Sequence, residues 1–328
     1  MTTRRRLLLA LGTALAAPLT ALAQGPRKLR RIGGLAPQGR QESLENLVHL
    51  EQGLRDLGWV AGRNIDVEWR FADGQYERLP GLAHELVALG PELLVSLNGS
   101  AAALALYGAT KNIPIVFVNV GDPVAIGLVE SLPHPGRSAT ELTNLTADTV
   151  GKHLEMLRTL LPGLTRVALL WNPSNPASHR TVKALEAAAA ATGTKILLFE
   201  ARSAKEISEA FSRIAVERVG ALILMPDAFI FQQRSQIADL ARSLRLPSIG
   251  AHTAYAYAGG LMTYGANPAE SYGRAASFVD RILKGARPGD LPVEQPTRLQ
   301  LVVNRKTATA IGVAIPAELL LLAEKVIE

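Results

Sequence analysis

Residues 93–120 read LLVSLNGSAAALALYGATKNIPIVFVNV. Leu93-Leu94-Val95-Ser96-Leu97 is an unbroken apolar run of strand length. Alternation is absent, so both faces of such a strand are buried. Asn98-Gly99 ends the run, and residues 100–110 form an alanine-rich helical segment. Pro114 then opens a second apolar run, PIVFVNV, in which three valines and an isoleucine favour a strand. A strand, a helix and a strand in this order require a parallel pair joined by a helical crossover.

Working outward, the same alternation continues on both sides. Towards the N-terminus, residues 31–35 form a short strand ending in a glycine-containing loop. Residues 43–57 place Leu44, Leu47, Val48, Leu50, Leu54 and Leu57 at helical spacing. Gly58 follows where a left-handed helix stop is needed. Ile65, Val67, Trp69 and Phe71 alternate with polar residues as a strand, and residues 79–89 are helical. After Gly121-Asp122-Pro123 the pattern loosens around Pro133, Pro135 and Gly136, then restarts. Helices are expected at 149–161, 176–192, 204–219 and 232–244. Strands are expected at 166–171, 196–199, 221–225 and 248–250. The order of elements in the first half is thus repeated in the second, and 328 residues exceed one ordinary domain. A strand at 260–265, a helix at 270–284, a strand at 299–303 and a helix at 317–327 complete the chain. This predicts an α/β protein of two Rossmann-like lobes with parallel sheets, joined by three crossings near 142–147, 258–263 and 292–297. Lobe 1 is expected to hold residues 29–143 plus 262–293, and lobe 2 residues 146–260 plus 296–328.

The first residues read as an export signal. Arg4, Arg5 and Arg6 precede an apolar stretch at 7–17, and Ala21-Leu22-Ala23 is a cleavage signal before Gln24. The stretch is short for a bilayer span of about 20 residues. Thr3-Arg4-Arg5-Arg6 suits both the general secretory and the twin-arginine routes. The formal net charge of +6 falls to +3 once the three arginines are removed, which leaves no nucleic-acid footprint. Cysteine is absent, which excludes disulfides, thiolate metal sites, a cysteine nucleophile and a lipid-anchored N-terminal cysteine. The expectation is a freely diffusing, monomeric periplasmic protein.

Ligands of open parallel sheets bind at the carboxyl ends of strands. The six loops that follow the expected strands are 36–39, 98–100, 121–123, 172–176, 226–228 and 251–253, and they carry Gln38, Asn98, Ser100, Asp122, Asn172, Asn175 and Asp227. Their amides, hydroxyls and carboxylates can hydrogen-bond a small polar ligand. Ser100 opens a helix, and Asn175 before Pro176 reads as a helix cap, so both sites offer unpaired N–H groups to a carboxylate. Asp122 and Asp227 could each pair with an ammonium group. Plain capping or turn formation accounts for each of these residues equally well. Catalytic signatures are missing: there is no G-x-G-x-x-G, no G-x-x-x-x-G-K-[ST] and no G-x-S-x-G. The histidines at 49, 84, 134, 153, 179 and 252 show no metal-ligand spacing, so no cofactor is expected and each is read as a surface or structural residue.

Four long segments add a resemblance. GLRDLGWVAGRNIDVEWRFADGQYERLPGLAHELV, NIPIVFVNVGDPVAIGLVESLPHPG, RVALLWNPSNPAS and GGLMTYGANPAESYGRAASFVDRILKGARPGDLPVEQPTRLQLVVN together resemble ABC-transporter substrate-binding proteins of the tryptophan/tyrosine-type group. The resemblance covers nearly the whole mature chain. It implies the periplasmic-binding-protein type I fold, a cleft ligand such as an amino acid, and an inner-membrane ABC permease as partner. It maps the cleft loops onto residues 98–100, 121–123, 172–178 and 227, which adds Ser178. Where family members often show Gly-Thr-Pro-Ala, this chain has Asn98-Gly99-Ser100-Ala101. Two other readings share some features. A periplasmic sensor would present its ligand to a membrane receptor. An α/β enzyme would need a nucleophile or acid–base set.

Overall fold

In the computed structural model, which describes residues 29–144 and 146–328, the alternation builds two separate sheets. The export signal expected at residues 1–23 lies outside the described residues. The first sheet contains β1 (Arg30–Ala36), β2 (Ile65–Phe71), β3 (Leu93–Ser96), β4 (Ile115–Gly121) and β5 (Ala139–Asn144). Their order is β2-β1-β3-β4-β5 and every pair is parallel. Between them run α1 (Arg40–Asp56), α2 (Leu79–Ala88) and α3 (Ser100–Ala109). Leu93, Val95 and Leu97 face one side of the sheet and Leu94 the other, so the decisive apolar run is indeed buried on both faces. Burying one such leucine contributes about 1.5–3 kcal/mol. Gly58 adopts φ +88, which permits the left-handed stop after α1.

The second half supplies α4 (Thr146–Leu160), β6 (Arg166–Trp171), α5 (Ser178–Ala190), β7 (Lys195–Glu200), α6 (Ala204–Val216) and β8 (Ala221–Leu224). There follow α7 (Ala228–Gln232), α8 (Arg234–Ser243), β9 (Ser248–Gly250), α9 (Thr253–Tyr257) and β10 (Met262–Ala266). The chain ends with α10 (Pro268–Leu283), β11 (Leu299–Asn304), α11 (Arg305–Ile311), α12 (Ala317–Leu322) and β12 (Lys325–Ile327). The second sheet has the order β12-β11-β10-β9-β8-β6-β7, with the β10–β11 pair antiparallel.

Three crossings join the lobes. The first lies between β5 and α4. The second lies between β10 and α10, because β10 pairs with β9 and β11 of the second sheet while α10 packs on α1 of the first lobe. The third runs from Glu294, whose carbonyl accepts the Thr143 N–H, to β11. The second crossing therefore falls at 266–268 rather than at 258–263, and residues 262–266 belong to lobe 2. Backbone pairing with β9 keeps that strand in the second sheet. Helix α10 lies close on α1, since a Cβ at Gly53 would sit 2.7 Å from that of Ala276 and 3.2 Å from the Gly273 backbone.

Smaller differences have local causes. Strand β5 falls inside the Pro- and Gly-rich stretch that reads as irregular, because its pairing with β4 is set by tertiary contact. The C-terminal segment is a short helix followed by β12, whose partner is β11, and not one helix.

Candidate functional site

Each sheet reverses its strand order once, between β1 and β3 in lobe 1 and between β6 and β8 in lobe 2. Loops leaving neighbouring strands at such a point diverge and open a crevice. The two crevices face each other across the hinge. Between them is a cavity of about 450 Å³, its mouth included.

The lobe 1 wall is built of amides held in unusual backbone conformations. Asn98 ends the β3 run at φ +47, and Asn119 sits at φ +58 where the β4–β5 register shifts. The shift is a bulge, and bulges re-aim side chains. The Asn98 Oδ1 accepts the Tyr272 hydroxyl at 2.7 Å and the Asn119 amide at 3.5 Å, while its Nδ2 has no partner although the residue is 5% exposed. The Asn144 amide donates to the Asn119 carbonyl at 2.9 Å. The Ser100 hydroxyl accepts the Gly121 N–H at 3.2 Å and tethers the start of α3 to the end of β4.

The lobe 2 wall centres on Asp227, the single charged side chain among the described residues lining this cavity. Its Oδ1 accepts the Ile230 N–H at 3.1 Å, capping α7, and the Asn172 amide at 3.4 Å. Its Oδ2 accepts the Asn175 amide at 3.0 Å and the Tyr76 hydroxyl at 2.8 Å. Four donors thus occupy the roughly four lone-pair positions of a carboxylate. Burial pushes the Asp227 carboxyl above its ordinary range, and the four donors partly offset that push. Ser178 opens α5 with its hydroxyl buried and unpartnered. His252 completes the wall; burial and the nearby Arg234 bring its pKa down to about 4. Arg and Lys are absent from the described lining, and no His, Cys, Asp or Glu cluster among the described residues could hold a metal.

The lobes are drawn together. Tyr76 comes from lobe 1, yet its ring packs against the apolar cores of both lobes and its hydroxyl is bonded to Asp227 of lobe 2. Burial first, and the Asp227 charge second, hold that hydroxyl well above the usual tyrosine range. At the rim, Arg180 of α5 pairs with Asp122 after β4 at 3.3 Å.

Of the residues singled out from the sequence, Asn98, Ser100, Asn175, Ser178 and Asp227 line the cavity. Gln38, Asp122 and Asn172 do not. Gln38 is 1% exposed, with neither amide atom bonded. Asp122 forms a turn, accepting the Ala125 N–H at 3.1 Å, and points to Arg180 at the rim. Asn172 braces its own loop through Ser174 and supports Asp227 from behind. Asn175 caps no helix at Pro176; it folds a turn onto the Ala177 N–H, and α5 starts at Ser178. Asn119, Asn144 and Thr181 were not foreseen as lining residues, whereas His252 lies in the 251–253 loop expected at the cleft. An asparagine within an apolar strand was the available signal for Asn119. His252, read as a surface or structural residue, lies in the wall because the loop after β9 faces the cleft.

Two parallel-sheet lobes, three crossings and a polar interlobe cavity define a type I periplasmic binding protein. The chain matches the ABC transporter substrate binding protein family over residues 41–327, and it belongs to that family. A curated relative, a tyrosine-binding protein of Clostridioides difficile, is 25% identical over 260 residues, which cover 79% of this chain and 74% of the relative. A conserved domain protein of Vibrio cholerae is 27% identical with a TM-score of 0.86, covering 91% of this chain and 100% of that one. An ABC domain from Streptococcus pneumonia in complex with L-Trp is 24% identical with a TM-score of 0.84, at the same coverage. The ligand-free, open structure of a Clostridium difficile substrate-binding protein with adhesive properties is 23% identical, covers 91% of this chain and 99% of that one, and scores 0.64.

Proposed function

We propose that the protein captures an α-amino acid in its interlobe cleft and delivers it to an ABC importer, without a catalytic step. The observation that carries the reading is the charge plan of the cavity. The lobe 1 wall offers the N-terminus of α3 and the unpartnered Asn98 amide, and the lobe 2 wall the N-terminus of α5 and the unpartnered Ser178 hydroxyl. Helix N-termini and free donors suit a carboxylate. The lobe 2 wall also carries one carboxylate, Asp227, which suits an ammonium group that takes the place of the Asn175 amide. A zwitterion satisfies both the donors and the carboxylate, whereas a sugar leaves Asp227 without a counter-charge. The relatives described as binding tyrosine and L-Trp support the same class.

Export follows from residues 1–23, and the mature chain acts as a monomer in the periplasm, docking on a permease. Mass spectrometry of the periplasmic fraction should find an N-terminus at Gln24; an intact Met1 in the membrane pellet contradicts export with cleavage. Thermal-shift screening of the twenty amino acids against sugars and inositols tests the ligand class. The reading expects a stabilised melt with amino acids alone. A shift produced by a neutral polyol and by no amino acid would overturn it.

A further inference from the structure

We propose that lobe 1 carries a second binding site, outside the interlobe cleft, for a free amphiphile with a linear hydrocarbon body and a single negative head. The site does not draw on the amino-acid reading of the cleft, and either can stand without the other.

A cavity of about 1030 Å³, its mouth included, opens between α1 and β2, the edge strand of the first sheet. The described residues that line it all belong to lobe 1, and none of them lines the interlobe cavity. Its floor is the lobe 1 core itself: Ile32, Leu50, Leu54, Ile65, Val95 and Val279. Protein interiors keep few voids larger than a water, and an apolar floor gives a water no hydrogen-bond partner. A hydrocarbon body in this slot gains the contacts that the core side chains otherwise lack.

Walls, length and charge select the occupant. Two of the chain's three tryptophans form walls. Trp69 lies against the backbone of β1, since a Cβ at Gly34 would meet its ring at 2.0 Å. The Trp59 Nε1 donates to Asp280 at 2.9 Å, which leaves ring carbons, and not a free donor, for the slot. Arg40 and Arg55 both line the space and stand 15 residues apart on α1, about 22 Å along the helix axis. A linear chain suits such a slot, whereas a compact ring leaves most of it empty. Four charged residues stand on the lining, and those on α1 are exposed. Arg55 pairs with Glu51 at 3.7 Å, and Asp66 with Arg31 at 3.6 Å. Arg40 has no ion pair among the described residues; its guanidinium lies 4.9 Å from the centre of the Phe71 ring. The unbalanced charge is therefore positive and sits at the Arg40 end, where a carboxylate or another single anion meets it.

The test is calorimetric titration of the full mature protein with decanoate, kept below micelle-forming concentration, and with decyltrimethylammonium as the cation of equal chain length. Wild type should bind one decanoate, at least ten times more tightly than the cation. Saturating L-tyrosine should change that affinity less than twofold, because slot and cleft share no lining. Arg40→Glu, at an exposed position, should weaken decanoate at least tenfold and turn the preference towards the cation. Val67→Trp fills the slot and should weaken both probes at least tenfold; Ala61→Trp, at its exposed end, carries this arm if Val67→Trp fails to give a cooperative melt. Failure to bind decanoate, equal affinity for anion and cation, or an affinity unmoved by Arg40→Glu overturns the site. Displacement of decanoate by L-tyrosine overturns its separateness from the cleft. Sedimentation with phosphatidylglycerol vesicles, without binding of monomeric decanoate, overturns the free amphiphile and gives the slot to a membrane surface.

Discussion

Replacing Asp227 with alanine removes one carboxylate and unseats four donors. The Ile230 N–H loses its cap at the start of α7, a loss of about 0.5–2 kcal/mol. The Asn175 amide, bonded at 3.0 Å and 6% exposed, is left buried and unmet, at about 1–3 kcal/mol. The Asn172 bond is already long at 3.4 Å, and the Tyr76 hydroxyl can meet water when the lobes part, so these add little. Burial raises the carboxyl, so deleting the charge returns part of its desolvation cost. The net loss is about 2–3 kcal/mol. For a unit of 150–250 residues this lowers the melting temperature by roughly 4–12 °C. Differential scanning calorimetry reads it directly. Asp227→Asn keeps an acceptor for Ile230 and should lose less than half as much. A midpoint for Asp227→Ala within about 1 °C of wild type would refute the hub, since a drop of that size falls below the loss of even one cap.

Tyr76→Phe keeps the ring between the two cores and deletes only the interlobe bond. Ligand affinity should fall roughly tenfold, about 1.5 kcal/mol for a bond to a charged group, with the melt nearly unchanged. Unaltered affinity in titration removes Tyr76 from closure. His153 is fully buried, donates from Nε2 to the Tyr264 carbonyl at 2.7 Å, and is brought by burial to about 4, as His252 is by burial and Arg234. Both folded values lie below the unfolded value near 6.5, so their contribution is complete above that pH and is lost as pH falls towards 4. Melts across this window should decline, and His153→Gln should flatten the decline; an identical slope in the variant contradicts the assignment.

The two-lobed architecture was legible because it rests on local pattern. Residues 93–97 are apolar on consecutive positions, and only a strand sandwiched between helices uses such a run. Gly58 was legible for the same reason, as one φ value decides it. What escaped the sequence depends on contacts between distant segments. Strand β5 exists because β4 offers it an edge, and β10 stays in lobe 2 because β9 and β11 flank it. The site divides in the same way. Asp227 and Ser100 follow obvious strands, so their loops could be placed at the cleft. Asn119 is turned into the cavity by a bulge, and Tyr76 reaches Asp227 only after the lobes meet, which no spacing along the chain records. Asp122 misled because a turn aspartate and a ligand carboxylate look alike in sequence; its neighbour Arg180 lies on the other lobe.

The central claim is that two lobes close on an amino acid. Small-angle X-ray scattering of the mature protein, recorded without ligand and with saturating L-tryptophan or L-tyrosine, tests it most directly. The account predicts a smaller radius of gyration with ligand, and a smaller contraction in Tyr76→Phe. Identical scattering curves with and without ligand, at concentrations where calorimetry shows the site filled, would contradict it.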